Sequence, residues 1–110
     1  MAYDEVLANR IRELLADEIV TEKPMFGGLA FLIGGHMAVA VSGQGGLIVR
    51  VDQDETEALL GRPYTRPMEM RGRETQGWLR VGPEGVNTKR QLESWVGRGV
   101  ACARSLPPKL

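Results

Sequence analysis

The sequence predicts an α+β fold of two layers: an antiparallel five-stranded sheet with flanking helices, in the order α-β-β-β-α-β-β-α. Three observations predict it. Apolar residues recur at helical spacing near the two ends of the chain and in one short stretch between them. The runs between these are rich in Val, Ile, Leu and Met and are broken by glycine pairs, as hairpins require. The chain has 110 residues, 43% apolar and 25% charged, which suits a single domain, 1–110, with one modest core.

The first helix is predicted over Asp4 to Ala16. Leu7, Ile11, Leu14 and Leu15 fall on one stripe, with Asp4 as N-cap and Asp4 and Glu5 at the positive end of the dipole. "ADEIVTEKP" leads off it, and Pro24 bars helix continuation. Three strands follow. Phe26, Leu29, Phe31 and Ile33 belong to the first, "GG" at 34–35 is a two-residue hairpin turn, and Met37 to Val41 is the second. "SGQGG" at 42–46 turns the chain into "LIVRV", which places Leu47, Val49 and Val51 on one face.

"DQDETEALLG" is a short helix, with Asp54 as N-cap, Glu57 completing a capping box and Gly61 closing the end. Met68 and Met70 alternate with charged neighbours as a strand does, "GRETQG" is the connection, and "WLRV" at 78–81 is the last strand. Asn87 is the N-cap of a closing helix whose inner face holds Leu92, Trp95, Val96, Gly99 and Ala103. Lys89 and Glu93 are spaced as an exposed pair on it. Gly97 and Gly99 weaken it by about 1 kcal/mol each relative to alanine, which implies close packing against another element, or fraying. Residues from about 105 to 110 are a tail.

Bulk properties limit the function classes. The formal net charge is zero, which argues against a wholly basic nucleic-acid binder while leaving room for a local patch. Apolar runs are too short to span a bilayer, and the acidic amphipathic N-terminus lacks the features of a signal peptide. A cytoplasmic protein is expected, without membrane contact. The single cysteine, Cys102, allows no intrachain disulfide.

The glycine pairs at 27–28 and 34–35 precede further strand, so no helix N-terminus is ready to take a phosphate there. They read as a bulge or close backbone approach and a primed turn, with positive φ at one or more of Gly27, Gly28, Gly34 and Gly35. His36, the only histidine, reads as a solvated residue beside a turn. Cys102 reads as packing. Asp52, Asp54, Glu55 and Glu57 lack the glycine and terminal glutamate of a calcium loop. No metal or cofactor is expected, and no catalytic set converges, so an enzyme is not expected.

Arg62, Arg66, Arg71, Arg73 and Arg80 crowd one segment, with Tyr64 and Trp78 nearby. Arginines beside aromatics suit phosphate backbones and stacked bases. The more ordinary reading is a solvated connection whose arginines pair with acids of the neighbouring short helix. Consecutive apolar positions Phe31, Leu32 and Ile33 imply a sheet covered on both faces, by the helices or by a second copy in a homodimer.

"EKPMFGGLAFLIGGHMAVAV" resembles the start of the TfoX/Sxy N-terminal domain, whose hallmark is a Met-Phe-Gly-Gly segment, here Met25, Phe26, Gly27 and Gly28. "LIVRVD", "RPMEMRGRETQGWLRV", "LESWV" and "ARSLPPK" follow in the order of that family, so the resemblance runs from about Glu5 to Lys109. It implies an antiparallel sheet with flanking helices. It also implies kinship with bacterial regulators of competence that act with the cyclic-AMP receptor protein and carry a second, C-terminal domain. This chain is expected to be a single-domain member. The resemblance carries no catalytic residue. The expected partner is protein, the transcription machinery by resemblance only, with nucleic acid as the alternative through the Arg62–Arg80 segment.

Overall fold

A computed structural model describes residues 3–25, 27–70 and 72–107. Helix α1 spans Glu5–Leu14, and the Asp4 carboxylate accepts from the Leu7 amide at 3.1 Å, the cap that the sequence predicts. Leu7, Ala8 and Ile11 are buried on its inner face.

The sheet has six strands, one more than the sequence suggests: β1 (Thr21–Met25), β2 (Gly28–Ile33), β3 (His36–Val41), β4 (Leu47–Arg50), β5 (Thr65–Met70) and β6 (Arg73–Val81). The addition is β1, within the stretch read as a connection. All five of its residues are exposed, so it shows none of the alternation that marks a half-buried strand. It is an edge strand, where Pro24 deprives no inner neighbour of a donor. Strand order is β1-β2-β3-β4-β6-β5, and every pairing is antiparallel.

Gly34 and Gly35 both have positive φ, 62° and 83°, as a primed hairpin turn requires. Gly27 is also left-handed at 69°. Gly28 serves a close approach instead: a Cβ there would lie 1.8 Å from the Val41 carbonyl oxygen. The irregularity of the β2–β3 register falls at Phe31/Leu32 and not at the first glycine pair.

Three punctuation marks differ from the sequence reading. Asp52 caps a 3-10 turn at Gln53–Glu55, accepting from the Asp54 amide, and helix α2 is only Thr56–Leu59. Asp54 is therefore inside the turn and not its cap. Strand β6 begins at Arg73, so most of "GRETQG" is strand; its polar run gave no apolar alternation to read. Helix α3 (Lys89–Ser105) is capped by Thr88 and not Asn87. Thr88 and Gln91 exchange bonds at 3.1 and 2.9 Å, so a capping box satisfies two amides where an Asn87 cap would satisfy one.

The helices lie on one face of the sheet. Leu29, Phe31, Val39, Val41, Leu47, Val49, Leu79 and Val81 form a core with α1 and with Leu92, Trp95, Val96, Val100 and Ala103 of α3. The opposite face holds a smaller cluster of Ala30, Met37, Ala40, Ile48 and Met68, with Leu32 and Trp78 half-buried against it. On that face these five residues are buried within the chain, while Arg66 is exposed. The two helical glycines part ways here. A Cβ on Gly99 would lie 2.3 Å from the Ala38 carbonyl oxygen, whereas one on Gly97 would meet nothing within 4 Å. Close packing thus explains Gly99 alone.

Two predictions follow from these contacts. In urea unfolding, Gly99→Ala lowers stability by about 1–3 kcal/mol through overpacking, while Gly97→Ala raises it by up to about 1 kcal/mol. Equal effects at both sites would contradict the packing. Separately, Arg12 grips Glu22 of β1 with bonds of 2.8 and 2.7 Å. That grip holds the Glu22 carboxyl below its usual range. A lowered folded pKa gives stability above the unfolded carboxylate range, lost as pH falls through the lowered value. Both partners are more than a third exposed, so screening leaves only a few tenths of a kcal/mol. Glu22→Gln lowers the urea midpoint slightly at neutral pH and not in acid.

Candidate functional site

The arginines singled out by the sequence do not form one stripe. Alternation along β6 points Leu79 and Val81 into the helix-covered core, which turns Arg80 to the opposite face. There the register sets Arg80 beside Ile48 on one side and directly opposite Arg66 on the other. Arg62 goes the other way: its guanidinium lies 5.6 Å from the centre of the Trp95 ring, in the helix layer. Arg71 and the side chain of Arg73 lie outside the described residues, as does Phe26 of the hallmark.

The β5–β6 register sets like charges opposite each other at Arg66 and Arg80, as it does at Glu69 and Glu74. Cross-strand neighbours directly opposite stand about 4.5–5.5 Å apart at Cβ, and like charges there oppose pairing. Arg80 is half-buried and held in place: its Nη1 donates to Ser42 Oγ at 3.0 Å. Ser42 is 1% exposed, and the same oxygen accepts from the Gln44 amide at 3.1 Å. Ser42 and Gln44 belong to the "SGQGG" turn, which sits backbone to backbone on β6. A Cβ on Gly46, left-handed at φ 76°, would lie 2.3 Å from the Val81 carbonyl oxygen. Gly46 therefore lets the turn approach β6.

The result is a cleft of about 410 Å³ lined by Gln44, Arg66, Pro67, Glu69 and Arg80. Among the described residues, neither arginine has a carboxylate within ion-pair distance. Trp78, two residues before Arg80 on β6, stands opposite Arg50, whose guanidinium lies 4.9 Å from the indole centre; these two line a different cleft, with Cys102 of α3. Two guanidinium groups with free donors suit a phosphate or carboxylate. Sequence reasoning found Arg66, Arg80 and Trp78. It missed Ser42, Gln44 and Arg50, whose roles depend on pairings between strands far apart in the chain.

The remaining candidates are held by structural contacts. His36 Nε2 donates to the Pro107 carbonyl oxygen at 2.6 Å, tying the end of the chain to the β2–β3 hairpin. Burial pushes the Cys102 thiol up in spite of the nearby Arg50 cation, which keeps it protonated at neutral pH. Asp52 serves as a cap, and Glu55 pairs with Arg98 at 3.6 Å. Among the described residues no group of His, Cys, Asp and Glu is placed to hold a metal. The hallmark shapes the β1–β2 hairpin: Met25 ends one strand, Gly27 is left-handed and Gly28 begins the next.

The geometry is that of a small α+β domain with a glycine-shaped hairpin, two arginines paired across one sheet face, and His36 in a hydrogen bond with the backbone of Pro107. The family follows from the sequence match. The model of the TfoX N-terminal domain matches residues 13–103, most of the chain, and the protein belongs to that family. No curated protein gives a significant match to the chain. No helix among the described residues is long and apolar enough to cross a membrane.

The like-charge pairing makes a prediction of its own. Arg66→Thr relieves the repulsion across β5–β6 and raises stability by about 0.2–1 kcal/mol at low salt, a gain that shrinks as ionic strength rises. Thermal unfolding at two salt concentrations measures it. A loss of stability would mean that Arg66 is a structural residue.

Proposed function

We propose that this domain is a non-enzymatic binding module that acts through protein contacts in bacterial transcriptional regulation, and that the Arg66–Arg80 cleft receives an acidic group of its partner. One observation carries the reading: two arginines are set directly opposite each other, and among the described residues neither is in an ion pair, although Glu69 lines the same cleft. That arrangement opposes sheet pairing, and an anionic partner offsets it. Proteins commonly keep such locally unfavourable groups where they bind. The regulatory setting rests on family membership, and competence is the process the resemblance suggests. The raised thiol of Cys102 and the engaged ring of His36 support a role without catalysis.

A second reading has its own observation. Arg50 stacked on Trp78, two residues before Arg80 on β6, combines cation and aromatic surface as single-stranded nucleic-acid sites do. The two readings separate by experiment. Under the first, wild-type protein recovers a transcription factor or polymerase subunit from host extract treated with nuclease, and Arg66→Glu combined with Arg80→Gln does not. Under the second, a gel shift with mixed-sequence nucleic acid weakens steeply between low and moderate salt and disappears in the same variant. Binding of either kind that is indifferent to the double substitution would refute the assignment of this face.

A further inference from the structure

A second cleft lies on the opposite layer, beside the start of α3. Its volume is about 300 Å³, and it is lined by Arg62, Pro63, Tyr64, Gly85, Arg90, Gln91, Ser94 and Trp95. We propose that it is a binding site for a small phosphate ester carrying an aromatic group. This inference stands apart from the Arg66–Arg80 reading, since it uses different residues on the other side of the sheet.

Charge points to an anion. Arg62 and Arg90 both line the cleft, and no acidic residue does. Neither arginine has an ion-pair partner among the described residues. Arg62 is pinned by its position over Trp95 and keeps its donors for a ligand, because stacking uses the face of the guanidinium and not its edge. Gln91 and Ser94 add neutral polar groups to the wall. Two forked cations around a small volume match a tetrahedral dianion better than a single carboxylate.

Shape points to an aromatic ring. Trp95 is 5% exposed and forms the inner wall, while Tyr64 leaves 54% of its surface open at the rim. Tyr64 has a φ of 64°, the only described non-glycine residue with positive φ. A bulky side chain in that region is a strained one. Its neighbours hold it there. Its carbonyl oxygen accepts from the Gly82 amide at 2.8 Å, and a Cβ on Gly85 would lie 3.1 Å from Tyr64 Cβ and 2.6 Å from Val81 Cγ1. The backbone thus presents a phenol ring beside the arginines. A volume near 300 Å³ is at the lower end of small-molecule sites.

Phenyl phosphate is the test ligand, with inorganic phosphate and phenol as its separate halves. Protein NMR titration follows the Trp95 indole and the Arg62 and Arg90 side-chain signals. The expected result is saturable shifts at these groups with phenyl phosphate. Binding is weakened about ten-fold or more in Arg62→Gln and in Arg90→Gln and is unchanged in Arg66→Gln. Inorganic phosphate shifts the same arginines more weakly. Circular dichroism checks that each variant keeps the fold, and Arg62→Lys serves as the variant that retains charge but not the fork. Shifts that never saturate, or binding that survives loss of either arginine, would overturn the proposal. So would binding of inorganic phosphate as tight as that of phenyl phosphate, because the aromatic wall would then have no role.

Discussion

At Gly99 the backbone of the helix layer comes close against the sheet. Its missing side chain lets the backbone of α3 rest on β3, where any Cβ would stand 2.3 Å from the Ala38 carbonyl oxygen. That single approach sets the depth at which α3 lies. Trp95, Val96, Val100 and Ala103 then reach the sheet face formed by Phe31, Val39, Val49 and Leu79. Glycine in the middle of a helix is unfavourable by about 1 kcal/mol relative to alanine, and the contact area gained along α3 offsets it. Once α3 owns one face, alternation assigns the other face to Ala30, Ala40, Ile48 and Arg80. The charged cleft is a consequence of where the helix sits.

Much of this was legible in the sequence. The Asp4 cap, the paired-glycine turn at 34–35, the Leu47–Val49–Val51 face and the inner stripe of α3 all follow from local chemistry, and the structure has them. The illegible parts share a physical cause. Strand β1 is exposed at every position, so it lacks the alternation by which a strand is read. The start of β6 is a polar run. Thr88 outcompetes Asn87 because Gln91 stands three residues on to close the box, a reciprocal bond that residue preference at one position does not reveal. The site was half legible. Arg66 and Arg80 stood out as charges, yet only the register shows that they face each other. Ser42 and Gln44 enter through a turn remote from them in sequence.

The same register divides the arginines between layers. Arg62 stacks on Trp95 among the helices, and Arg66 and Arg80 meet on the far face. One continuous basic stripe, the simplest picture of nucleic-acid binding, is therefore not what the chain builds from these residues. Among the described residues Arg66 and Arg80 line one cleft with Glu69, and Arg62 and Arg90 line another with Tyr64 and Trp95, on a molecule of zero formal charge. The chain belongs to the TfoX N-terminal domain family, and in it Gly27 and Gly28 of the hallmark shape the β1–β2 hairpin.

The Arg66–Arg80 face is the contact surface that we propose. Its most direct test is an NMR titration of the arginine Nε–H signals with polyglutamate and with a short single-stranded oligonucleotide. The account predicts that Arg66 and Arg80 shift first, together with the Ser42 and Gln44 amides, with at least one of the two polyanions. Shifts confined to arginines elsewhere, such as Arg10, Arg12 or Arg104, or no shift with either, would contradict it.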